Sequence, residues 1–576
     1  MEDSIVFNKP ENRTFSWLSR LTLADGAFFI IALATAVSRF TNLGQIPLSP
    51  DEATQAWASW QFWQPDSVAI SSGSPAYFSL TSLLFPLLGD SDAIARVVPA
   101  LFGLALVLLP WLLRQRLGAI GALTASLLLA VSPVQAIISR TTGGDAIAML
   151  ALALIIVGWL RFEETAVPHW FAVILVGFAL GLSSSPLFYG GLATLALAGL
   201  IQWQILWANI DPDLRQKAII SAAVLFISLS SLFLWRLPGL GAAAALPAVW
   251  LSQFRFTGAD LFDPIIAFLR YEPFLFLGGV TAVFWANAVN HTLAKRLGSW
   301  SAGLILLMLL QRGQMGNAAL LTLPAAILTG LMANDLLRAP LSRMGWAWAG
   351  GLFLLLGTIA VNLARYSRVI TLTTQEFTSA WVILMAITTL IVTAYFVGTL
   401  DRTAVRQGSF IGLLVFFVLI QWGTGWQLTH VAANDPRERW VTTATDDDIR
   451  LLTAALTEIS RQATNSEHEL TIFSGVEAPA LRWYLRDFNQ FQMGASLPAG
   501  ARHDVIISPN RDDLVLGSDY VGADYGLTRQ GLLPQEIPSQ TPFIDLLRWL
   551  FFHDSTQTIN EERVILWWRV DLSNAE

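Results

Sequence analysis

The chain has 576 residues, of which 54% are hydrophobic and only 13% charged, and its mean hydropathy is +0.54. Soluble domains carry about 25% charged residues, so an ordinary soluble globule is excluded. A net charge of −7 without a basic tail or block gives no sign of nucleic-acid binding, and the absence of cysteine excludes disulfides and thiolate chemistry.

The N-terminal stretch Met1 to Ser19 is polar, and no small-residue cleavage site follows the first apolar run. That run is therefore expected to stay in place as a signal anchor. A bilayer span needs about 20 mainly apolar residues. By that measure about thirteen helices precede residue 430, near 23–42, 92–112, 118–138, 145–161, 169–185, 187–207 and 217–236, then 270–289, 298–311, 317–336, 346–364, 378–399 and 408–428. The 23 Trp and 34 Phe suit interfacial belts.

Compact basic turns such as Arg114-Gln115-Arg116 and Lys295-Arg296 assign the inner side, with residues 1–22 as a cytoplasmic tail. Residues 23–430 then form the transmembrane domain, with long outer loops at 43–91 and 237–270. The first of these carries Trp57, Trp60, Phe62, Trp63 and Tyr77 and reads as one or two interfacial helices. The second carries Trp250, Phe254, Arg255 and Phe256.

Residues 431–576 change character and read as a soluble extracytoplasmic domain. Asp446-Asp447-Asp448 can cap a helix running to about Ala463. Leu470 to Phe473, Asp504 to Ile507 and Arg563 to Val570 read as strands, and Pro479 to Phe488 as a helix. Alternating strands and helices predict a small α/β domain. No glycine-rich phosphate loop, metal-ligand cluster or internal repeat stands out.

Four groups on the predicted outer side are candidates for chemistry. Asp51-Glu52 follows the first span directly, and a carboxylate there can take a proton from a hydroxyl within hydrogen-bond reach. The alternative is a solvated loop pair, or a helix cap after Pro50. Arg140 with Asp145 can hold and orient a phosphate, since the guanidinium fork donates two hydrogen bonds; alternatively Asp145 only caps the next helix. Arg96, Arg255, Arg312 and Arg365 can stabilise a phosphate leaving group, or they anchor to lipid headgroups. Arg312 is the best placed of these, beside the Pro324-bearing span. Last, Arg482 and Arg486 share one face of the helix Ala480 to Asp487, which reads better as an amphipathic helix packing Leu481, Tyr484 and Leu485.

These residues together resemble a known family. The acid pair after the first span, Ala95-Arg96-Val97-Val98-Pro99-Ala100-Leu101-Phe102-Gly103 opening the second, and Ser132-Pro133, Ser139-Arg140 and Asp145 in order resemble the GT-C glycosyltransferases. The relatives are the protein O-mannosyltransferase and aminoarabinose transferase types. The resemblance covers about residues 20–210 and, weakly, Arg312 to Gly330.

It implies a mainly α, polytopic GT-C-like domain, and an inverting enzyme that takes a sugar from a polyprenyl-phosphate donor. The acceptor would be a protein, lipid or glycan at the outer face of the cell membrane. It implies Asp51 and Glu52 as catalytic, with Arg96, Arg140, Asp145, Arg255 and Arg312 binding substrate. Some relatives hold a divalent metal and some do not; no other cofactor is implied. The sequence departs from relatives that place a lysine near Ser183-Ser184-Ser185, since lysine occurs only at Lys9, Lys217 and Lys295. Two other classes compete: a non-catalytic GT-C-like accessory handling lipid-linked sugars, and an unrelated transporter. A transporter should carry charges or broken helices near mid-membrane, whereas these spans are nearly free of acids and the charges gather at the outer edge.

Overall fold

The computed structural model describes residues 22–64, 73–201, 210–254, 261–367, 374–438, 440–494, 503–510, 520–530 and 559–573. The N-terminal tail up to residue 21 and Arg255 lie outside them.

Apolar composition makes the helices, and proline sets where many of them begin. α1 (Leu23–Phe40) is opened by a capping box between Thr22 and Asp25. α2 (Pro50–Gln61) and α3 (Pro75–Leu88) fill the first outer loop, each with proline in its first turn, where the missing N–H costs nothing. The second apolar stretch is broken: α4 (Val97–Leu108), a tight 3-10 turn over Leu109–Leu113, then α5 (Arg114–Val131), in which Gly118 takes a left-handed φ of 74°. α6 (Pro133–Ile138) starts a new direction after Ser132, because Pro133 cannot continue the helix before it.

Then come α7 (Asp145–Thr165), α8 (His169–Leu182), α9 (Pro186–Leu197), α10 (Pro212–Ser230) and α11 (Pro238–Ser252). α12 (Asp263–Tyr271) and α13 (Pro273–Ala288) follow, and then α14 (Thr292–Leu310) and α15 (Asn317–Leu336). The last three, α16 (Arg343–Ser367), α17 (Thr374–Leu400) and α18 (Arg402–Trp426), are long and largely lipid-facing. Among the described residues eight helices are long and apolar enough to cross a membrane, or nine if the bent pair α12 and α13 counts as one span. Each of the segments expected from hydropathy holds a helix over part or all of its length, several of them shorter than expected. The chain is an integral membrane protein.

Two of the breaks meet at one carboxylate. α12 and α13 are bent by 100° at Glu272. Glu272 is fully buried and accepts hydrogen bonds from Ser132 Oγ, from Val134 N at 3.0 Å and from Gln421 Nε2 at 2.8 Å. A carboxylate in an apolar interior is tolerated only when its lone pairs are met this way. The contact fixes α6, and hence the segment after it, against the α12–α13 bend and α18.

The soluble part is a six-stranded sheet in the order β1-β5-β6-β4-β2-β3. Its strands are β1 (Thr443–Thr445), β2 (Thr471–Ser474), β3 (Gln490–Met493), β4 (Val505–Pro509), β5 (Tyr520–Gln530) and β6 (Asn560–Arg569). β4, β2 and β3 run parallel, while β1, β5, β6 and β4 pair antiparallel. α19 (Asp448–Thr464) and α20 (Pro479–Tyr484) bury Ile449, Leu452, Leu456 and Leu481 against Ile472, Val505 and Leu566. This is the α/β domain predicted from the alternation.

α5 and α15 cross at two glycines. A Cβ on Gly121 would stand 2.7 Å from the carbonyl oxygen of Gly330, and one on Gly330 would stand 2.5 Å from that of Gly121. Small residues are what allow such close backbones between membrane helices. Gly121→Val should therefore lower the thermal unfolding temperature in detergent, at a cost of about 1–3 kcal/mol from overpacking. Gly350→Val, on α16 with no atom within 4 Å of its Cβ position, should leave it unchanged.

Candidate active site

The acid pair opens α2, and the two acids have different surroundings. Ser49 is the N-cap: its hydroxyl accepts from Glu52 N at 3.4 Å, and Glu52 Oε2 accepts from Ser49 N at 3.0 Å. This capping box turns the Glu52 side chain back into the protein. There it is buried and paired with Arg96, whose Nε donates to Oε1 at 2.9 Å and whose Nη2 donates to Oε2 at 2.7 Å. Thr142 N also donates to Oε1, at 3.0 Å. Arg96 spends its other donors on the carbonyls of Leu43 and Ile46, both at 2.8 Å, and of Pro47 at 3.2 Å. All five guanidinium N–H groups are thus committed within the protein. Asp51 is exposed, and among the described residues its carboxylate has no hydrogen bond or ion pair.

Arg140 is held in a similar way. Its Nη1 donates to the carbonyls of Ser38 and Arg39 at 3.0 Å and of Thr41 at 2.8 Å, and its Nη2 to Asn42 at 3.4 Å. It therefore caps the C-terminus of α1, where the helix dipole and the unpaired carbonyls both favour a cation. Burial, with Arg96 close by, pushes its guanidinium down to about 10, so it is charged at neutral pH. Its Nε is buried and has no hydrogen-bond partner among the described residues.

Asp51, Glu52, Arg96 and Arg140 line one cavity of about 240 Å³. Its other walls are the loop Asn42 to Ser49, the turn Thr141-Thr142, and the connector from Leu428 through Trp440 to Thr445 that leads into the soluble domain. Four of the residues expected at a site from sequence are thus brought together, and Asp145, Arg312 and Arg365 stand apart. Asp145 does not line this cavity, although it was expected beside Arg140. It opens α7 next to Ser185, with Oδ2 3.6 Å from where a Cβ on Gly316 would lie. That puts it beside the turn that carries the half-buried Arg312. The turn is braced by Gln311, which donates to the Trp250 carbonyl at 3.2 Å and accepts from Asn317 Nδ2 at 3.0 Å. Arg365 is exposed in the last turn of α16 and lines no part of the cavity. Among the described residues no three His, Asp or Glu come together to hold a metal ion.

The soluble domain is latched to the same side of the bundle as Asp51. Asp92 accepts from Arg450 Nη2 at 2.7 Å, Trp483 Nε1 at 2.7 Å and Tyr484 Oη at 2.8 Å. Tyr484 Oη in turn accepts from Leu48 N at 3.0 Å, three residues before Asp51. Trp483 is fully buried among Leu48, Ala53, Ala56, Phe85 and Ala95. Arg486 lies over its ring at 4.0 Å and donates to the Asp90 carbonyl at 2.8 Å. Sequence reading treats this helix as simply amphipathic. Leu481 and Leu485 do pack inward, but Trp483, Tyr484 and Arg486 dock the domain. The signal available in the sequence was a Trp-Tyr pair beside an arginine on a short helix, together with the isolated acids Asp90 and Asp92.

Comparison with known proteins gives one family model and a set of structures. Residues 72–235 match the family described as dolichyl-phosphate-mannose-protein mannosyltransferase. The structure is similar to the crystal structure of ArnT from Cupriavidus metallidurans in the apo state, with a TM-score of 0.52 and 14% identity, covering 96% of this chain and 99% of that one. It is also similar to ArnT from the same organism bound to undecaprenyl phosphate, with a TM-score of 0.51 and 16% identity, covering 86% and 93%. Comparison with curated protein sequences gave no match. The chain has the mainly helical membrane fold of ArnT, with a strand-containing domain at its C-terminal end.

Two measurements check this geometry. Glu52→Gln leaves the buried Arg96 charge unpaired and should cost about 3–5 kcal/mol, read as a drop in unfolding temperature; Asp51→Asn should cost nothing measurable. Asp92→Ala removes the acceptor shared by Arg450, Trp483 and Tyr484 and should speed amide exchange around residues 483–486, with the helices of the bundle unchanged.

Proposed function

We propose that this chain is a membrane glycosyltransferase that moves a sugar from a polyprenyl-phosphate-linked donor to an acceptor hydroxyl on the outer face of the membrane, with inversion and with Asp51 as the base. The observation that carries this is the division within the acid pair. Glu52 is buried and saturated, whereas Asp51 is exposed, has no partner among the described residues, and is fixed at a cavity by the same helix turn. A general base needs an accessible carboxylate within hydrogen-bond reach of the hydroxyl it deprotonates. The family matched over residues 72–235 and the undecaprenyl phosphate bound by ArnT support the lipid-linked donor. The basic turns Arg114-Gln115-Arg116 and Lys295-Arg296 support the orientation.

In this reaction the acceptor O–H gives its proton to Asp51 as its oxygen bonds to the anomeric carbon. The bond from that carbon to the phosphate oxygen breaks on the opposite face, and polyprenyl phosphate leaves with the electron pair. Attack from behind the leaving group inverts the centre. The charge gathering on the phosphate needs a cation, and Arg312, in the turn beside Asp145, is proposed for that role. Arg255 is proposed for the same role, and Asp145 for orienting the donor sugar. Arg96, Glu52 and Arg140 serve by placing Asp51 and closing the cavity wall; the Arg96 donors are already taken up by the protein, and both terminal nitrogens of Arg140 are bound to carbonyls at and just after the end of α1.

Mass spectrometry of cell-surface glycans and glycoproteins in a strain lacking the chain, complemented with wild type or Asp51→Asn, tests the reading. Loss of a general base costs about 10²–10⁴-fold, so the variant should fail to restore the missing glycan at equal protein level. Full restoration would remove Asp51 from the chemistry. Arg312→Ala should raise the KM for the donor; unchanged donor kinetics would leave it an interface anchor.

A further inference from the structure

We infer that the turn between α10 and α11, Ser231 to Leu237, is a wedge inserted among the lipid acyl chains on the soluble domain's side, where it anchors the end of α2.

The length of α10 sets where the turn lies. Near its start Asp213 and Lys217 form an exposed ion pair of 2.7 Å, which keeps that end in water or among headgroups. The uncharged part that follows, Ala218 to Ser230, rises only about 20 Å, against a hydrocarbon core about 30 Å thick. Helix α10 therefore ends inside the far leaflet, and the chain reverses there. That leaflet is on the soluble domain's side, because the turn meets α2, which packs against α20 of that domain. Trp235 stacks on Phe62 with ring centroids 6.3 Å apart, and it meets Trp63 edge-on at 6.0 Å.

The backbone of the turn is built for hydrocarbon. A chain that reverses away from water must satisfy its own peptide groups. Phe233 N donates to Ser228 O at 2.8 Å, Trp235 N to Leu232 O at 3.2 Å and Arg236 N to Ser231 O at 2.8 Å. Leu234 N donates to Ser231 Oγ at 3.0 Å. Closing these bonds holds Leu232, Phe233 and Leu234 at φ of 48°, 54° and 72°, the only run of left-handed non-glycine positions among the described residues. Bulky residues are strained there. A loop in water would not need that strain, since water would serve the same peptide groups.

The side chains name the partner. Phe233, Leu234, Trp235 and Leu237 are each more than half exposed, and they continue the exposed apolar flank of α10 at Ile220, Val224 and Ile227. The lipid that covers that flank thus covers the turn. Arg236, its guanidinium 5.5 Å from the Phe62 ring, and the Trp63 indole mark the boundary with the headgroups, where such side chains gather.

The test exploits the absence of cysteine from the chain. Nitroxide labels on Phe233→Cys and Leu234→Cys, with the full chain in phosphatidylcholine–phosphatidylglycerol nanodiscs, should collide more often with oxygen than with a water-soluble nickel chelate. A label on Thr54→Cys, on the exposed face of α2, should show the reverse order. Either turn position gives the readout if the other variant does not fold. Adding Phe233→Ser and Leu234→Ser to the Thr54→Cys chain should loosen α2, seen as a narrower nitroxide spectrum at unchanged helicity. Nickel-chelate collisions in the turn as frequent as at Thr54→Cys would overturn the insertion, and an unchanged Thr54→Cys spectrum would overturn the anchoring. Spin–spin broadening with both reagents excluded would assign the turn to a second copy of the chain, and would overturn the inference equally. None of these readouts depends on sugar transfer, so they stand or fall apart from the glycosyltransferase reading.

Discussion

The arrangement depends on one buried ion pair. Arg96 and Glu52 meet through two hydrogen bonds of 2.9 and 2.7 Å, and each then ties down a separate part of the chain. Arg96 gathers the carbonyls of Leu43, Ile46 and Pro47, and Glu52 gathers the N–H groups of Ser49 and Thr142. A buried pair is sustainable only when its remaining donors and acceptors are met, and here they are. The end of α1, the start of α2, the start of α4 and the turn before α7 are thereby fixed to one another. Asp51, one residue from Glu52, inherits a fixed position without being drawn into the network.

Around that pair the molecule brings together three kinds of structure. The broken helices at Ser132 and Glu272 place α6 and Arg140 against the end of α1. The soluble domain, docked through Asp92 and Trp483, lays its connector and first strand over the open side. The turn with Arg312 lies beside Asp145 instead, in line with a separation between the carboxylate that takes a proton and the cation that receives a leaving phosphate. In the proposed reaction those two places face opposite sides of the anomeric carbon, as inversion demands.

Much of the fold was legible because hydropathy is a local signal: α1, α7 and α15 fall where about 20 apolar residues predict them. The strands around Ile472 and Ile506 were legible as short apolar runs bounded by turn residues. The site was legible only as a set of residues. Asp51 and Glu52 look equivalent in sequence, and what separates them is Arg96, 44 residues on, and Thr142, 90 residues from Glu52. Arg140 reads as a phosphate ligand but caps a helix roughly a hundred residues before it, a partnership no local pattern encodes. The docking role of Trp483 and Tyr484 is hidden for the same reason: their acceptor, Asp92, lies nearly four hundred residues away.

The most direct measurement of the central claim is an experimental structure with a polyprenyl-phosphate sugar bound. The anomeric carbon should lie between the Asp51 carboxylate and the phosphate, with the phosphate toward Arg312 and the Glu52–Arg96 pair undisturbed. A donor whose anomeric carbon lies beyond the reach of Asp51, even through one water, or whose phosphate is held by Arg96, would contradict it.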